Sequence, residues 1–130
     1  MEFKINKILV PTDFSETASN ALKQAVSIAS KANAEIKLVH VIIPGMNYEA
    51  NVPIPHSKSY NANLKKNVEK QLENLAGQIK KDNSIKVSIK VVLGVPHKEI
   101  CSIASEEEVD IIVMGTHGVS GVSEFFVGSN

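Results

Sequence analysis

The sequence predicts an α/β protein built on an open, doubly wound parallel sheet. Three observations carry that class. Short apolar runs alternate with stretches of helical period in the order β-α-β-α-β-α-β, and such alternation implies a mostly parallel sheet with right-handed crossovers. The first and last runs are continuously apolar rather than alternating, as expected of strands covered on both faces. A glycine-bearing stretch follows the last run, where an open sheet of this kind would hold a ligand.

The first strand is Lys7-Ile8-Leu9-Val10, ended by Pro11-Thr12-Asp13. Ser15 then stands at an N-cap position with Glu16 in the first turn, the side-chain types that satisfy free amides and favour the positive end of a helix. Ala18, Ala21, Leu22, Ala25, Ala29 and Ala32 follow at helical spacing, and Asn33 is a reasonable stop because it tolerates the left-handed conformation. Small alanines let such a helix lie close on a sheet.

Glu35 to Ile43 is the second strand, closed by Pro44-Gly45. Residues 44–59 hold Pro44, Pro53 and Pro55 without a clear period and read as an irregular, mobile connector. From Tyr60 to Lys81 a second helix places Leu64, Val68, Leu72, Leu75 and Ile79 on one face. Lys65, Lys66, Glu69, Lys70 and Glu73 lie on the other, a mixed-sign solvated face. Lys80 and Lys81 suit its last turn.

Ile85, Val87, Ile89, Val91 and Leu93 alternate with Lys86, Ser88, Lys90 and Val92, which marks an edge strand with one wetter face. Gly94-Val95-Pro96 turns the chain, and Pro96 suits a first helical turn. Ile100, Ile103 and Ala104 give that helix an apolar side, and Cys101 beside them reads as a small buried apolar residue. Asp110 to Met114 is the fourth strand. The first and fourth strands should be central neighbours, in the strand order 3-2-1-4. No internal repeat or domain boundary is visible, so one domain over residues 1–130 is expected.

Composition narrows the function. Lys+Arg and Asp+Glu both number 14 in 130 residues, leaving no net charge to attract nucleic acid or anionic lipid. One cysteine excludes an internal disulfide framework and a Cys-x-x-Cys metal site. No uninterrupted apolar stretch of about 18 residues exists, and the N-terminus lacks the tripartite form of a signal peptide. A soluble cytoplasmic protein, with no membrane or nucleic-acid partner, is expected.

Directly after the fourth strand come Gly115-Thr116-His117-Gly118, then nine residues, then Gly128-Ser129-Asn130. Glycine lets the backbone come close to a ligand. Amides at a following helix start can hold an anion, with Ser129 adding a hydroxyl. If the first and fourth strands are neighbours, Pro11, Thr12 and Asp13 face Met114 and Gly115 across one crevice. Asp13 could accept hydrogen bonds from ribose hydroxyls or share a bound Mg²⁺ with phosphates. The pattern is neither a Walker A loop, for want of Gly-Lys-Ser/Thr, nor a G-x-G-x-x-G fingerprint.

These residues resemble the UspA-type universal stress proteins over nearly the whole chain. The resemblance is carried by Ile8-Leu9-Val10-Pro11-Thr12-Asp13-Phe14-Ser15, by Leu38-Val39-His40-Val41, and by Gly94-Val95-Pro96 with Ile100 and Ala104. It is completed by Asp110-Ile111-Ile112-Val113-Met114-Gly115-Thr116-His117-Gly118. ATP-binding members carry G-2x-G-9x-G-[ST], and Gly115, Gly118, Gly128 and Ser129 fill that spacing. The resemblance implies a Rossmann-like fold of the adenine nucleotide alpha hydrolase type and a site for ATP, or for ADP or AMP.

On that basis Asp13 would meet the nucleoside, and Val41 the adenine through its backbone. Pro11, Thr12 and Met114 would line the base and ribose pocket. Gly115, Gly118, Gly128, Ser129 and the backbone of Asn130 would hold ribose and phosphates. His117 reads as solvent-facing or as a phosphate donor rather than a general base, since no orienting carboxylate is evident. Phe125 and Phe126, within the nine-residue loop, could pack over the ligand, on a partner or on the body. Family chains run on from the Gly-Ser pair through a helix and a last strand that commonly makes the dimer contact. This sequence ends at Asn130, so the expected sheet has four strands and lacks that fifth one. A homodimer and an unidentified protein partner remain expected.

The function expected is therefore an ATP-binding regulatory module of the stress response rather than a dedicated catalyst. One alternative is an enzyme of slow ATP hydrolysis or nucleotidyl transfer, although no His-x-Gly-His set, no Ser-Gly-Gly loop and no lysine in the glycine loop supports it. Another is a nucleotide-free partner-binding stress protein.

Overall fold

A computed structural model of the chain describes residues 4–44, 46–47, 52–53, 58–115 and 123–127. Its elements in chain order begin with β1 (Lys7–Pro11), α1 (Glu16–Ala32) and β2 (Glu35–Ile42). The short strands β3 (Met46–Asn47) and β4 (Val52–Pro53) follow, then α2 (Lys58–Asp82) and β5 (Val87–Leu93). The chain continues through α3 (Pro96–Glu106), β6 (Ile111–Gly115) and β7 (Ser123–Val127). The main sheet has the order β5-β2-β1-β6-β7.

Four of these strands are parallel. β1 pairs with β2 from Lys7–Glu35 to Pro11–Val39, and β2 with β5 from Ile36–Val87 to Ile42–Leu93. On its other side β1 pairs with β6 through Ile8–Ile111 and Leu9–Ile112. This is the expected order of the four predicted strands, with the alternating strand, β5, at an edge. The sequence shows why β1 is central. Ile8, Leu9 and Val10 are all 0% exposed, which only a strand covered on both faces allows.

The two faces build two cores. Ile8, Val10, Ile36, Leu38 and Ile42 face Ala21, Ala25 and Leu72 from α1 and α2. Leu9, Val39 and Val41 face Ile100, Ile103 and Val109 at α3. Ser15 caps α1, its side chain accepting from the Ala18 N–H, and Asn33 closes that helix in the left-handed conformation at φ 57°. Both ends match what their residue types favour. Burying a side chain such as Leu72 completely stabilises the fold by about 1.5–3 kcal/mol.

Three readings of the sequence need correction. The nine-residue stretch before Gly128 contains a strand: β7 runs antiparallel to β6, from Ile111–Val127 to Gly115–Ser123. The edge of β6, expected to stay open, is thereby paired. Unpaired edge groups on a central strand favour such closure, and the Phe125-Phe126-Val127 run has high strand propensity. Phe125 stands opposite Val113 and Phe126 opposite Ile112 in that register. Second, the stretch read as an irregular loop contains the β3–β4 pairing of Met46 with Pro53 and Asn47 with Val52. Third, Cys101 is exposed. Ile100 and Ile103 carry the buried face of α3, and successive helical residues point about 100° apart.

At the amino ends of the strands, an ion network ties α3 to the sheet. Lys37 Nζ lies 2.7 Å from Glu107 Oε1, Lys90 Nζ 3.7 Å from Oε2, and Lys7 Nζ donates to the Glu107 carbonyl at 3.0 Å. Burial acts to raise the Glu107 carboxyl. The Lys37 hydrogen bond and the charges of Lys37, Lys90 and Lys7 outweigh it, so the group titrates below its ordinary value. Asp110 accepts from the amides of Asn6 and Lys7 at 2.7 and 3.0 Å, holding the start of β1 beside β6.

Candidate functional site

Because β1, β2, β5 and β6 are parallel, their carboxyl ends share one side of the molecule. The chain proceeds from β1 outward to β2 and β5, yet β6 lies on the other side of β1. That reversal is where open α/β sheets leave a crevice. The two ladders of β1 differ in length there. Pairing between β1 and β6 ends at Leu9–Ile112, whereas β1 stays paired with β2 as far as Pro11–Val39. The Thr12 N–H extends that side, donating to the Val39 carbonyl at 2.8 Å.

Six of the site residues expected from the sequence are described, and all lie at this end. Pro11 ends β1, with Thr12 and Asp13 next in the chain. Val41 is the penultimate residue of β2, and Met114 and Gly115 end β6. The side chain of Val41 is buried in the α3-side core beside Leu9 and Ile100, so only its backbone is offered to a ligand. Met114 packs half-buried against the same core. The remaining expected residues, His117, Gly118, Gly128, Ser129 and Asn130, lie outside the described residues.

Gly115 shows how close the elements come. A Cβ added there would stand 2.6 Å from the Thr17 carbonyl oxygen, 2.7 Å from its carbon and 3.0 Å from the Ala18 nitrogen. These are main-chain atoms of the first turn of α1, which cannot swing aside as a side chain can. The end of β6 therefore presses on the amino end of α1, whose partial positive charge is suited to an anion. Asp13 sits between β1 and this helix start, its Oδ1 accepting from the Ser15 N–H at 3.0 Å.

The β1–α1 turn is held by its own side chains. Thr12 Oγ1 accepts from the Phe14 N–H at 3.0 Å. Phe14 adopts φ 67°, a left-handed value uncommon for a bulky residue. The carbonyl of Thr12 lies 2.7 Å from His40 Nδ1, and the rings of Phe14 and His40 stand 5.3 Å apart at an interplanar angle of 36°. Neither His40 nor Phe14 is legible as a site residue from the sequence alone. The one signal was a histidine inside the apolar run Leu38-Val39-His40-Val41-Ile42.

Among the described residues, no group of three His, Cys, Asp or Glu side chains could hold a metal ion. No helix among them is long and apolar enough to cross a membrane.

Comparison with known proteins adds to this geometry. A family model described as the Universal stress protein family matches residues 4–130. Universal stress protein MJ0577 of Methanocaldococcus jannaschii is 34% identical over 148 aligned residues, covering 99% of this chain and 87% of the relative. A solved structure of MJ0577 aligns with a TM-score of 0.65 at 38% identity, over 92% of this chain and 80% of that one. A universal stress protein solved in complex with cAMP aligns with a TM-score of 0.68 over 92% and 80% of the two chains. At 20% identity, that last likeness concerns the fold.

Proposed function

The chain belongs to the universal stress protein family, and from that premise we propose that it binds an adenine nucleotide, ATP foremost, between the carboxyl ends of β1 and β6. It acts as a regulatory module of the stress response rather than as a dedicated catalyst. One observation carries the reading: Gly115 lies against the backbone of a capped helix start, beside Asp13, where the strand order reverses. Such a place pairs a close approach of main chain with the positive end of a helix. The spacing of Gly115, Gly118, Gly128 and Ser129 supports it, and the fold holds cAMP in the neighbour described above.

In this reading Pro11, Thr12 and Met114 line the base and ribose pocket, and the backbone of Val41 meets the adenine. Gly115, His117, Gly118, Gly128, Ser129 and Asn130 hold ribose and phosphates. Asp13 accepts from the ribose hydroxyls. As a single hard carboxylate it also fits a Mg²⁺ whose other ligands are phosphate oxygens and water. The family relationship further supports a homodimer, which sedimentation equilibrium would test.

Titration with fluorescently labelled ATP tests the site. The Gly118→Val, Gly128→Val double variant should bind at least about tenfold more weakly than the wild type, the loss expected when main-chain hydrogen bonds to an anion are displaced. Equal affinity of the two proteins would exclude the proposed seat.

A further inference from the structure

Thr12 and His40 are the only buried polar side chains among the described residues, and they belong to one linkage. A buried polar group is retained when it is hydrogen-bonded, and a satisfied pair fixes geometry. His40 alternates along β2 with Val39 and Val41, which places it on the same face as Leu38 and Ile42, the face that α1 covers. Its Nδ1 meets the Thr12 carbonyl at 2.7 Å. A carbonyl only accepts, so Nδ1 carries the proton. The other face of the linkage is Phe14, whose ring rests 5.3 Å from that of His40.

We propose that His40 is a positioning residue of the nucleotide site: it clamps the Thr12 carbonyl by its Nδ1–H and seats Phe14 on its ring, so that the turn carrying Asp13 is presented in one conformation. The inference rests on the nucleotide reading above. The Thr12 carbonyl and the Asp13 N–H belong to the same trans peptide unit and point in opposite directions. Holding the carbonyl toward β2 therefore directs the Asp13 amide away from His40. The same clamp opposes relaxation of Phe14 from φ 67°. That conformation is costly for a bulky residue and persists where the surroundings over-determine it. Here those surroundings are the Phe14 N–H bond to Thr12 Oγ1, the Ser15 N–H bond to Asp13 Oδ1 and the His40 ring.

Two variants separate the donor from the ring. Asparagine places its Nδ2 close to where histidine has Nδ1, so His40→Asn keeps a donor for Thr12. His40→Phe keeps a ring beneath Phe14 but offers no donor. Binding of labelled ATP should weaken about tenfold in His40→Phe, the loss of one hydrogen bond's worth of order. It should return to within about threefold of the wild type in His40→Asn. A residue that only fills the core would give the reverse ranking, because Phe keeps an apolar ring in that space and Asn leaves part of it empty. Phe binding as tightly as the wild type, or Asn as weakly as Phe, overturns the role of His40. Absence of binding by the wild type overturns the nucleotide reading itself. A measurement on the unaltered protein stands beside these: ¹⁵N chemical shifts of the His40 ring should report a protonated Nδ1. A ring protonated at Nε2 alone would overturn the clamp.

Discussion

Replacing Gly115 by alanine puts one methyl group into the first turn of α1. The added carbon would stand 2.6 Å from the Thr17 oxygen, 2.7 Å from the Thr17 carbon and 3.0 Å from the Ala18 nitrogen. Ordinary carbon contacts begin near 3.5 Å, so about 1 Å of separation must be found. All three neighbours are main chain, and the helix that bears them is fixed by the Ser15 cap and by buried Ala18, Ala21 and Ala25. Overpacking of that kind costs about 1–3 kcal/mol. Urea unfolding of Gly115→Ala should therefore show stability lower by that amount with an unchanged m-value. ATP affinity should fall with it, since the displaced helix start flanks the site. Gly77 supplies the control. It lies exposed in α2 with nothing within 4 Å of an added Cβ, so Gly77→Ala should stabilise by about 0.5–1 kcal/mol. Equal stability of Gly115→Ala and the wild type would refute the close approach of β6 to α1.

Removing the α1 cap by Ser15→Ala should cost about 1 kcal/mol, read by the same urea titration, because its hydroxyl accepts from the Ala18 N–H at 3.1 Å. Glu107 titrates below its ordinary value in the folded protein, so its contribution is complete above the ordinary glutamate range and is lost as pH falls through the lowered folded value. Glu107→Gln should accordingly be less stable at neutral pH, by no more than about 1 kcal/mol for a partly exposed network, and the difference should vanish in acid. Cys101→Ser should leave stability within about 0.5 kcal/mol, and Cys101 should react with a thiol reagent in the native protein, as its exposure requires.

The parallel sheet was legible because its elements are long and strongly periodic. The unbroken apolar Ile8-Leu9-Val10 and the alanine stripe of α1 each admit one reading, and Ser15 and Asn33 mark the ends of that helix. What escaped sequence reading was set by distant partners. Whether Ser123–Val127 is loop or strand depends on the free edge of β6, which the local residues do not display. The same holds for the small β3–β4 pair. Cys101 is exposed beside buried Ile100 because a neighbour in sequence is not a neighbour on a helix. Its exposure follows from the Ile100–Ile103 phase.

The candidate site divides in the same way. Asp13, Gly115 and Met114 were legible from their places at strand ends, and the structure brings them to one end of the sheet. The tightness of Gly115 against Thr17 was not, since it depends on how closely α1 lies on β6. Nor was the part played by His40. Its partner, the carbonyl of Thr12, is 28 residues away along the chain, and nothing in the run around it says which way the ring must turn.

Chemical-shift mapping of backbone amides during titration with ATP and Mg²⁺ tests the location most directly. Thr12, Asp13, Val41 and Gly115 should shift together and saturate at a single affinity. The opposite end of the molecule offers its own polar hollow of about 260 Å³, lined by Ser30, Asn33, Asn83 and Ser84. Shifts confined to that hollow, with the amides at the ends of β1 and β6 unmoved, would contradict a nucleotide seat at the strand reversal.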